Sequence, residues 1–315
     1  MKITFLDAAT LGEDISTDLF STLGEVTVFA GTTAEELDAH IGDANILILN
    51  KAKITEDALE GHPHLRLICI TATGYDNVDL AACRRRGVAV CNVVGYSTQS
   101  VAQLTILMGL SLLTHLNEYQ SYVRDGSYTA SGIANRLTPV YSEIYGKTWG
   151  IVGYGNIGGQ VARVAEAMGC RVIVHKKTPT KDAVCVDFET LCRESDIISF
   201  HTPLNEGTRH MLDEAHIAML KPTAVVINVA RGAVTDEAAL ADAVKQGRIA
   251  GLGVDVYSAE PLPKDHPYQA IKQLPNVCLT PHMAWGAYET RMRLLEEVFQ
   301  NIRSFLQGGD RNRLV

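Results

Sequence analysis

Residues 147–177 read K-T-W-G-I-V-G-Y-G-N-I-G-G-Q-V-A-R-V-A-E-A-M-G-C-R-V-I-V-H-K-K. The apolar run at 149–152 has the form of a buried strand. Gly153, Gly155 and Gly158 follow as G-x-G-x-x-G, then a helical pattern over 157–168 closed by Gly169, then a second apolar run at 171–174. That is a strand–turn–helix–strand unit of the length a dinucleotide fingerprint requires. In such a unit the first glycine permits the tight turn, the second lets the backbone approach a pyrophosphate, and the third lets the helix close on the strand. The helix start offers unpaired N–H groups and a positive dipole end to the phosphates. The same glycine spacing also occurs in ordinary turns; the flanking strand and helix give it weight here.

A chain of 315 residues has room for roughly two domains. Its formal net charge is −8, and an acidic chain without a long basic run is a poor binder of nucleic acid. The one compact basic cluster, Arg84, Arg85 and Arg86, ends an expected helix, where cations suit the dipole. Met1 and Lys2 lead straight into a strand-like run at 3–6, so no leader is expected. The most apolar helical stretch, 101–113, is too short to span a bilayer. Seven scattered cysteines, with no C-x-x-C pair, argue against a disulfide framework or a zinc site. The expectation is a cytoplasmic protein with reduced thiols, no metal and no membrane partner.

Strand-like runs at 3–6, 26–29, 46–49, 65–70 and 88–91 alternate with helix candidates at 33–40, 55–60 and 80–86. Thr33 and Glu36 have capping-box spacing. Such alternation predicts parallel strands with crossover helices. A long apolar helix is expected over 96–116, with Ser100 and Gln103 able to cap it. Residues 117–146 show little periodicity, and a connection of that length is commonly functional or interfacial. It could be an arm that packs on a second subunit. A second α/β unit follows, with strands at 197–200, 225–228, 252–256 and 277–280. Its helices are expected at 188–194, 213–220 and 236–246, the last capped by Thr235 and stopped by Gly247. The final helix, 288–306, carries apolar residues at 292, 295, 298, 299, 302, 305 and 306, a single stripe at helical spacing. It suits the first unit as a cover. The predicted fold is therefore α/β, two Rossmann-like doubly wound parallel sheets. A discontinuous domain of 1–98 plus 285–315 would hold the substrate, and 99–284 the dinucleotide.

Three polar residues stand just past expected strands of the second unit: Arg231 after V-V-I-N-V-A, Glu260 after G-V-D-V-Y-S-A, and His282 after N-V-C-L-T-P. Open α/β sheets bind ligands beyond the carboxyl ends of their strands. Each residue also has an ordinary reading alone: a structural histidine, a turn arginine, a solvated loop glutamate.

The chain resembles the D-isomer-specific 2-hydroxyacid dehydrogenases. The motifs that carry this are T-A-T-G-Y-D-N-V-D-L (71–80), G-Y-S-T-Q-S-V-A (95–102), G-Y-G-N-I-G (153–158), H-T-P-L-N-E-G-T-R (201–209), N-V-A-R-G (228–232), G-L-G-V-D-V-Y-S-A-E-P (251–261) and T-P-H-M-A-W (280–285). They lie in family order along nearly the whole chain. The resemblance implies two Rossmann-like domains with a cleft between them, a dimer, and Arg231, Glu260 and His282 as the catalytic set. Reduction of a 2-keto acid needs a hydride on the carbonyl carbon and a proton on its oxygen. A histidine can supply that proton near neutral pH, a carboxylate can orient the ring, and an arginine can hold the substrate with its planar fork of donors. The resemblance also implies that Thr73, Gly74 and Tyr75 bind substrate through their backbone, that Asp255 meets the nicotinamide end of the cofactor, and that His201, Thr202 and Pro203 line the adenine side. Asp255 has a helix cap as its alternative. The remaining candidate cofactor contacts are Gly153, Tyr154, Gly155, Asn156, Ile157, Gly158, His175, Lys176, Thr208, Val229, Ala230 and Ala284. Lys51, in L-N-K-A, is a further candidate substrate contact.

One departure stands out. NAD-specific members carry an acidic residue at the end of the second strand to bind the ribose hydroxyls. Here that place reads V-I-V-H-K-K-T, with Lys176 at the acidic position between His175 and Lys177. The expected cofactor is NADP(H) or NAD(H), with NADP(H) favoured over strict NAD(H) use. The P-H-M-A-W and T-A-T-G-Y-D-N stretches look most like the glycerate dehydrogenase and hydroxypyruvate reductase branch. The absence of a further domain after Val315 disfavours the larger phosphoglycerate dehydrogenases, and Glu260 disfavours formate dehydrogenase. The predicted activity is reduction of a small 2-keto acid, such as hydroxypyruvate or glyoxylate, to the D-2-hydroxy acid by NAD(P)H. The alternative is a dinucleotide-sensing corepressor-like binding protein with little turnover.

Overall fold

A computed structural model describes residues 1–315. The chain divides into two compact units, Met1–Ser97 with Gly286–Val315, and Thr98–Trp285. In chain order the elements are β1 (Lys2–Phe5), β2 (Glu25–Val28), α1 (Leu37–Ile41), β3 (Ile46–Leu49), β4 (Leu67–Ile70), α2 (Leu80–Arg86), β5 (Ala89–Cys91), α3 (Thr98–Leu113), α4 (Leu116–Arg124) and α5 (Ser127–Ser131). There follow β6 (Thr148–Val152), α6 (Asn156–Ala167), β7 (Arg171–His175), α7 (Phe188–Glu194), β8 (Ile197–Phe200), α8 (Glu214–Ile217), β9 (Val225–Asn228), α9 (Glu237–Lys245), β10 (Gly251–Val254), β11 (Val277–Leu279) and α10 (Tyr288–Leu306).

The first unit is a parallel sheet in the order β2-β1-β3-β4-β5. Its central strand, Ile46, Leu47, Ile48 and Leu49, is buried along its whole length, as a parallel strand covered on both faces must be. The final helix, α10, packs against β4, and Phe299 meets Phe20 edge to face, which in turn meets Phe5. The buried stripe of α10 differs from the apolar count. Met292 and Leu306 are nearly half exposed, while Leu294 is buried along with polar Thr290 and Asn301. Asn301 is buried because its side chain donates to the Asn92 carbonyl at 3.0 Å, a reason hydrophobicity does not register. Thr33 and Glu36 do bond reciprocally, yet they frame a turn, and α1 begins only at Leu37. The stretch at 55–60 forms a single 3₁₀ turn, Asp57–Leu59.

The second unit is a parallel sheet in the order β11-β10-β9-β8-β6-β7. Renumbered from its own first strand it reads 2-1-3-4-5-6, and the first unit reads 2-1-3-4-5. Each sheet therefore reverses direction between its first and third strands, the switch point at which such folds bind ligands. Helix α3 packs on α6, β9 and β10, and its Gly109 lies against the fully buried Trp149 of β6. The helix expected over 96–116 is α3, shorter at both ends: His115, at φ 51, separates it from α4, and Ser100 lies inside α3 rather than capping it. The stretch at 117–146 is more ordered than its pattern suggested. It holds α4 and α5, neither of which buries a residue, so no core-facing stripe marks them. Asp236, not Thr235, caps α9, accepting from the amides of Ala238 and Ala239; the Thr235 hydroxyl turns back to the Gly232 carbonyl. No single helix is long and apolar enough to cross a membrane; α3 and α4 together pass by length, but they bend by 66° and α3 is packed inside the unit.

Candidate active site

The glycine turn leaves β6 at Val152. Gly153 adopts φ +92, and a Cβ there would lie 2.8 Å from the backbone of His201 and Thr202. A Cβ on Gly158 would lie 2.1 Å from the Gly153 carbonyl oxygen. Both positions exclude any side chain. At Gly155, the cap of α6, a Cβ would meet no atom within 4 Å. That glycine is not demanded by the protein's own packing; it leaves open space in front of the helix N-terminus, where Asn156 and Ile157 begin α6. Tyr154 is half-buried, and its carbonyl oxygen lies 3.5 Å from Lys176 Nζ. Lys177 is exposed. The His175 ring is engaged within its own unit: Nδ1 donates to the Val186 carbonyl at 3.2 Å, and the ring tilts against Phe188.

Across the switch point stands His201, just past β8. The indole N–H of Trp149 donates to Ser199 Oγ at 2.9 Å, and Ser199 Oγ lies 2.9 Å from His201 Nε2. The indole is an obligate donor, so Ser199 Oγ accepts from Trp149 and keeps both its own proton and a second lone pair for the His201 ring. Burial pushes the His201 ring down to about 3, so it is neutral near pH 7. Its Nδ1 is sealed from solvent and has no partner. An unpartnered imidazole nitrogen beside a cradle that no side chain fills fits a dinucleotide, whose ribose hydroxyls both donate and accept. In the loop beyond, the Thr208 hydroxyl donates to the Pro203 carbonyl at 2.7 Å and accepts from the Asn205 amide. Thr208 therefore closes the turn that Thr202 and Pro203 open.

The three candidate chemical residues follow adjacent strands β9, β10 and β11. His282 Nδ1 lies 2.7 Å from Glu260 Oε2, with the two side chains 27% and 28% exposed. A carboxylate only accepts, so the bond places a proton on Nδ1 and leaves Nε2 for proton transfer. Glu260 Oε1 accepts from the Tyr257 amide at 3.1 Å. Arg231 is half-buried, its Nη1 donating to the Ala230 carbonyl. Its turn is braced by Asn228, whose amide nitrogen donates to the Arg231 carbonyl at 2.9 Å and whose Oδ1 accepts from Ala230. Val229 and Ala230 are buried beside it. The backbones of the two loops meet: a Cβ on Gly232 would lie 2.1 Å from Ser258 N, so the arginine turn rests on the start of the Glu260 loop.

Asp255 is neither a helix cap nor exposed. It is buried, and its carboxylate accepts from the Thr280 hydroxyl and from the amides of Met283 and Ala284, the last two at 2.9 Å. Burial raises its pKa, and these hydrogen bonds partly offset the rise. Asn228 was absent from the candidates read from sequence. Its signal was present: one polar residue ending the apolar strand V-V-I-N.

The first unit presents its own polar edge past β3 and β4. The buried Asp7 carboxylate accepts from the amides of Asn50, Lys51 and Ala52 at 2.6 to 2.9 Å. Asn77 donates to the carbonyls of Asn50 and Ala52. The Thr73 hydroxyl donates to the Val93 carbonyl, and Asn92 donates to the Thr73 carbonyl. Lys51 and the corner Thr73, Gly74 and Tyr75 thus sit on backbone held by buried polar side chains.

A glycine cradle at a switch point, an unpartnered imidazole nitrogen beside it and an imidazole–carboxylate pair on the same sheet edge point to a nicotinamide-dinucleotide-dependent dehydrogenase. The family model for the NAD binding domain of D-isomer specific 2-hydroxyacid dehydrogenases matches residues 106–284. Glycerate dehydrogenase of Methylorubrum extorquens is 36% identical over 313 residues, covering 99% of this chain and 98% of that protein. Hydroxypyruvate reductase of Blautia hydrogenotrophica is 32% identical, covering 99% of each. A solved acyclic imino acid reductase in complex with NADPH and D-Arg matches with a TM-score of 0.88 at 32% identity, over 100% of both chains. The chain belongs to the D-isomer specific 2-hydroxyacid dehydrogenase family.

Proposed function

We propose that this protein reduces a small 2-keto acid of the hydroxypyruvate or glyoxylate type to the D-2-hydroxy acid with NAD(P)H. The observation that carries the reading is the 2.7 Å bond between His282 and Glu260. The names of the two curated relatives support the substrate class. The dihydronicotinamide, when bound, supplies the hydride that adds to the carbonyl carbon. His282 gives the matching proton from Nε2 to the carbonyl oxygen and recovers one from solvent afterwards. Glu260 keeps the ring oriented by accepting from Nδ1. Arg231 holds the substrate's carboxylate or carbonyl through its planar donors. On the first unit, the amides of Thr73, Gly74 and Tyr75, together with Lys51, make a corner suited to a carboxylate.

We read the cofactor as NADP(H) in preference to NAD(H). Support comes from Lys176 beside the glycine turn, the absence of a carboxylate at the end of β7, and the NADPH complex of a 32% identical relative. A homodimer is also proposed. Val123, Ile133, Leu137, Val140, Tyr141 and Tyr145 are each more than half exposed, an unusual run of apolar surface for a monomer; sedimentation velocity gives the mass.

The test is turnover of hydroxypyruvate, glyoxylate, pyruvate and longer 2-keto acids, each with NADH and NADPH. The expected result is the highest kcat/KM with hydroxypyruvate or glyoxylate and NADPH. Dinucleotide binding without turnover of any acid would favour a nucleotide-sensing binding protein. A large preference for NADH would reject the NADP(H) reading.

A further inference from the structure

We infer that Glu237 and His266 form a second, buried carboxylate–imidazole pair, and that it acts as a positioning device for the Glu260 loop. The inference rests on the reading that His282 and Glu260 move the proton.

Glu237 opens α9, and His266 precedes the 3₁₀ turn Pro267–Ala270. Their side chains are 10% and 4% exposed, and His266 Nε2 lies 3.1 Å from Glu237 Oε2. His266 Nδ1 accepts from the Tyr268 amide at 3.2 Å. Nδ1 therefore carries no proton, Nε2 does, and the ring donates to the carboxylate. Burying a carboxylate against a neutral ring costs desolvation that one hydrogen bond between them need not repay. Fold stability alone is thus a weak reason to keep it.

Its other contact supplies a reason. Glu237 Oε1 accepts from the Ser258 amide at 3.0 Å. The neighbouring Tyr257 amide donates to Glu260 Oε1 at 3.1 Å, and the Tyr257 hydroxyl donates to the Thr280 carbonyl at 2.9 Å, two residues before His282. Tyr257 and Ser258 also form the surface on which Gly232 rests, one residue past Arg231. Two consecutive residues therefore touch the turn of Arg231, the carboxylate of Glu260 and the loop of His282. Glu237 fixes one of the two, and His266 fixes Glu237. A loop held at one end only would let the Glu260 carboxylate swing, and small misplacements of a catalytic group cost far more in rate than in binding.

Two amide substitutions separate this role from packing. The side-chain oxygen of His266→Asn can stand at the Nδ1 position and keep the Tyr268 bond, but the side chain does not reach Glu237. The side-chain amide of His266→Gln stands at the Nε2 position and keeps the donor to Glu237. Each is assayed in the full-length enzyme with hydroxypyruvate and NADPH, alongside Glu237→Gln and His282→Asn. The expected result is a kcat reduced about tenfold or more in His266→Asn and Glu237→Gln, with KM and dinucleotide affinity within about twofold of wild type, and recovery toward wild type in His266→Gln. Equal losses in the two His266 variants, losses that follow the folded fraction by circular dichroism, or no loss at all would overturn the inference. If His266→Asn does not fold, Glu237→Gln against His266→Gln gives the same comparison. His282→Asn keeps the two claims apart: if it turns over like wild type, the acid–base reading fails, and this inference fails with it.

Discussion

The carboxylate of Asp255 fixes the backbone on which His282 stands. It accepts from the Thr280 hydroxyl two residues before the histidine and from the Met283 and Ala284 amides just after it. Between them His282 holds φ 53, a left-handed conformation that costs a non-glycine residue about 1 kcal/mol or more. Asp255→Asn keeps one acceptor oxygen and turns an N–H₂ toward donors. The expected outcome is a kcat about 100-fold lower and a loss of about 1–3 kcal/mol of stability for the donors left unsatisfied. Steady-state kinetics and urea unfolding measure both; wild-type kcat would remove Asp255 from the site's support.

Gly155 and Gly158 separate folding from cofactor binding. A Cβ at Gly158 meets the Gly153 carbonyl at 2.1 Å, whereas one at Gly155 meets nothing. Gly158→Ala is expected to cost about 1–3 kcal/mol by forced overpacking. Gly155→Ala is expected to leave Tm unchanged and weaken dinucleotide affinity about tenfold or more by blocking backbone approach. Thermal melts and fluorescence titration with NADPH compare the two; undiminished binding by Gly155→Ala would contradict the cradle.

His201 makes the fold sensitive to acid. Its folded pKa of about 3 lies below the ordinary 6.5. Below pH 6.5 the unfolded chain takes up a proton that the folded one refuses, so stability falls as pH drops from 6.5 toward 3. At pH 5 the loss is at most about 2 kcal/mol. His201→Gln removes this titration, so its urea midpoint should fall less than that of wild type between pH 7 and pH 5. Parallel midpoints would refute the assignment.

Lys176 tests the cofactor choice directly. Replacing it by Asp places a carboxylate where a 2′-phosphate would lie. The ratio of kcat/KM for NADPH to that for NADH should drop by about tenfold or more, equivalent to about 1.4 kcal/mol. An unchanged ratio would mean that Lys176 faces solvent when the dinucleotide binds.

Local features carried much of the fold. The bounds of α2, α7, β9 and α10 follow apolar period and stop signals within the segments themselves. Helices α4 and α5 escaped because they bury nothing, and the α9 cap shifted from Thr235 to Asp236 because two adjacent residues could each cap and the Thr235 oxygen accepts from Asn228 instead. In the candidate site, the positions of Arg231, Glu260 and His282 just past strands were legible. The roles of Asp255, Asn228 and Asp7 were not, because each is defined by amides contributed from other loops.

The chain's order of residues alone determined the glycine turn, since positive φ and the missing Cβ at 153 and 158 are properties of the backbone at those positions. It also determined which side chains stand at the carboxyl ends of strands. Only the tertiary structure decided how they pair. Glu260 meets His282 because β10 and β11 lie side by side, and Glu237 reaches Ser258 because α9 and the loop after β10 pack together. Hydrogen bonds between residues about twenty positions apart depend on strand order and helix packing, which no local stretch encodes.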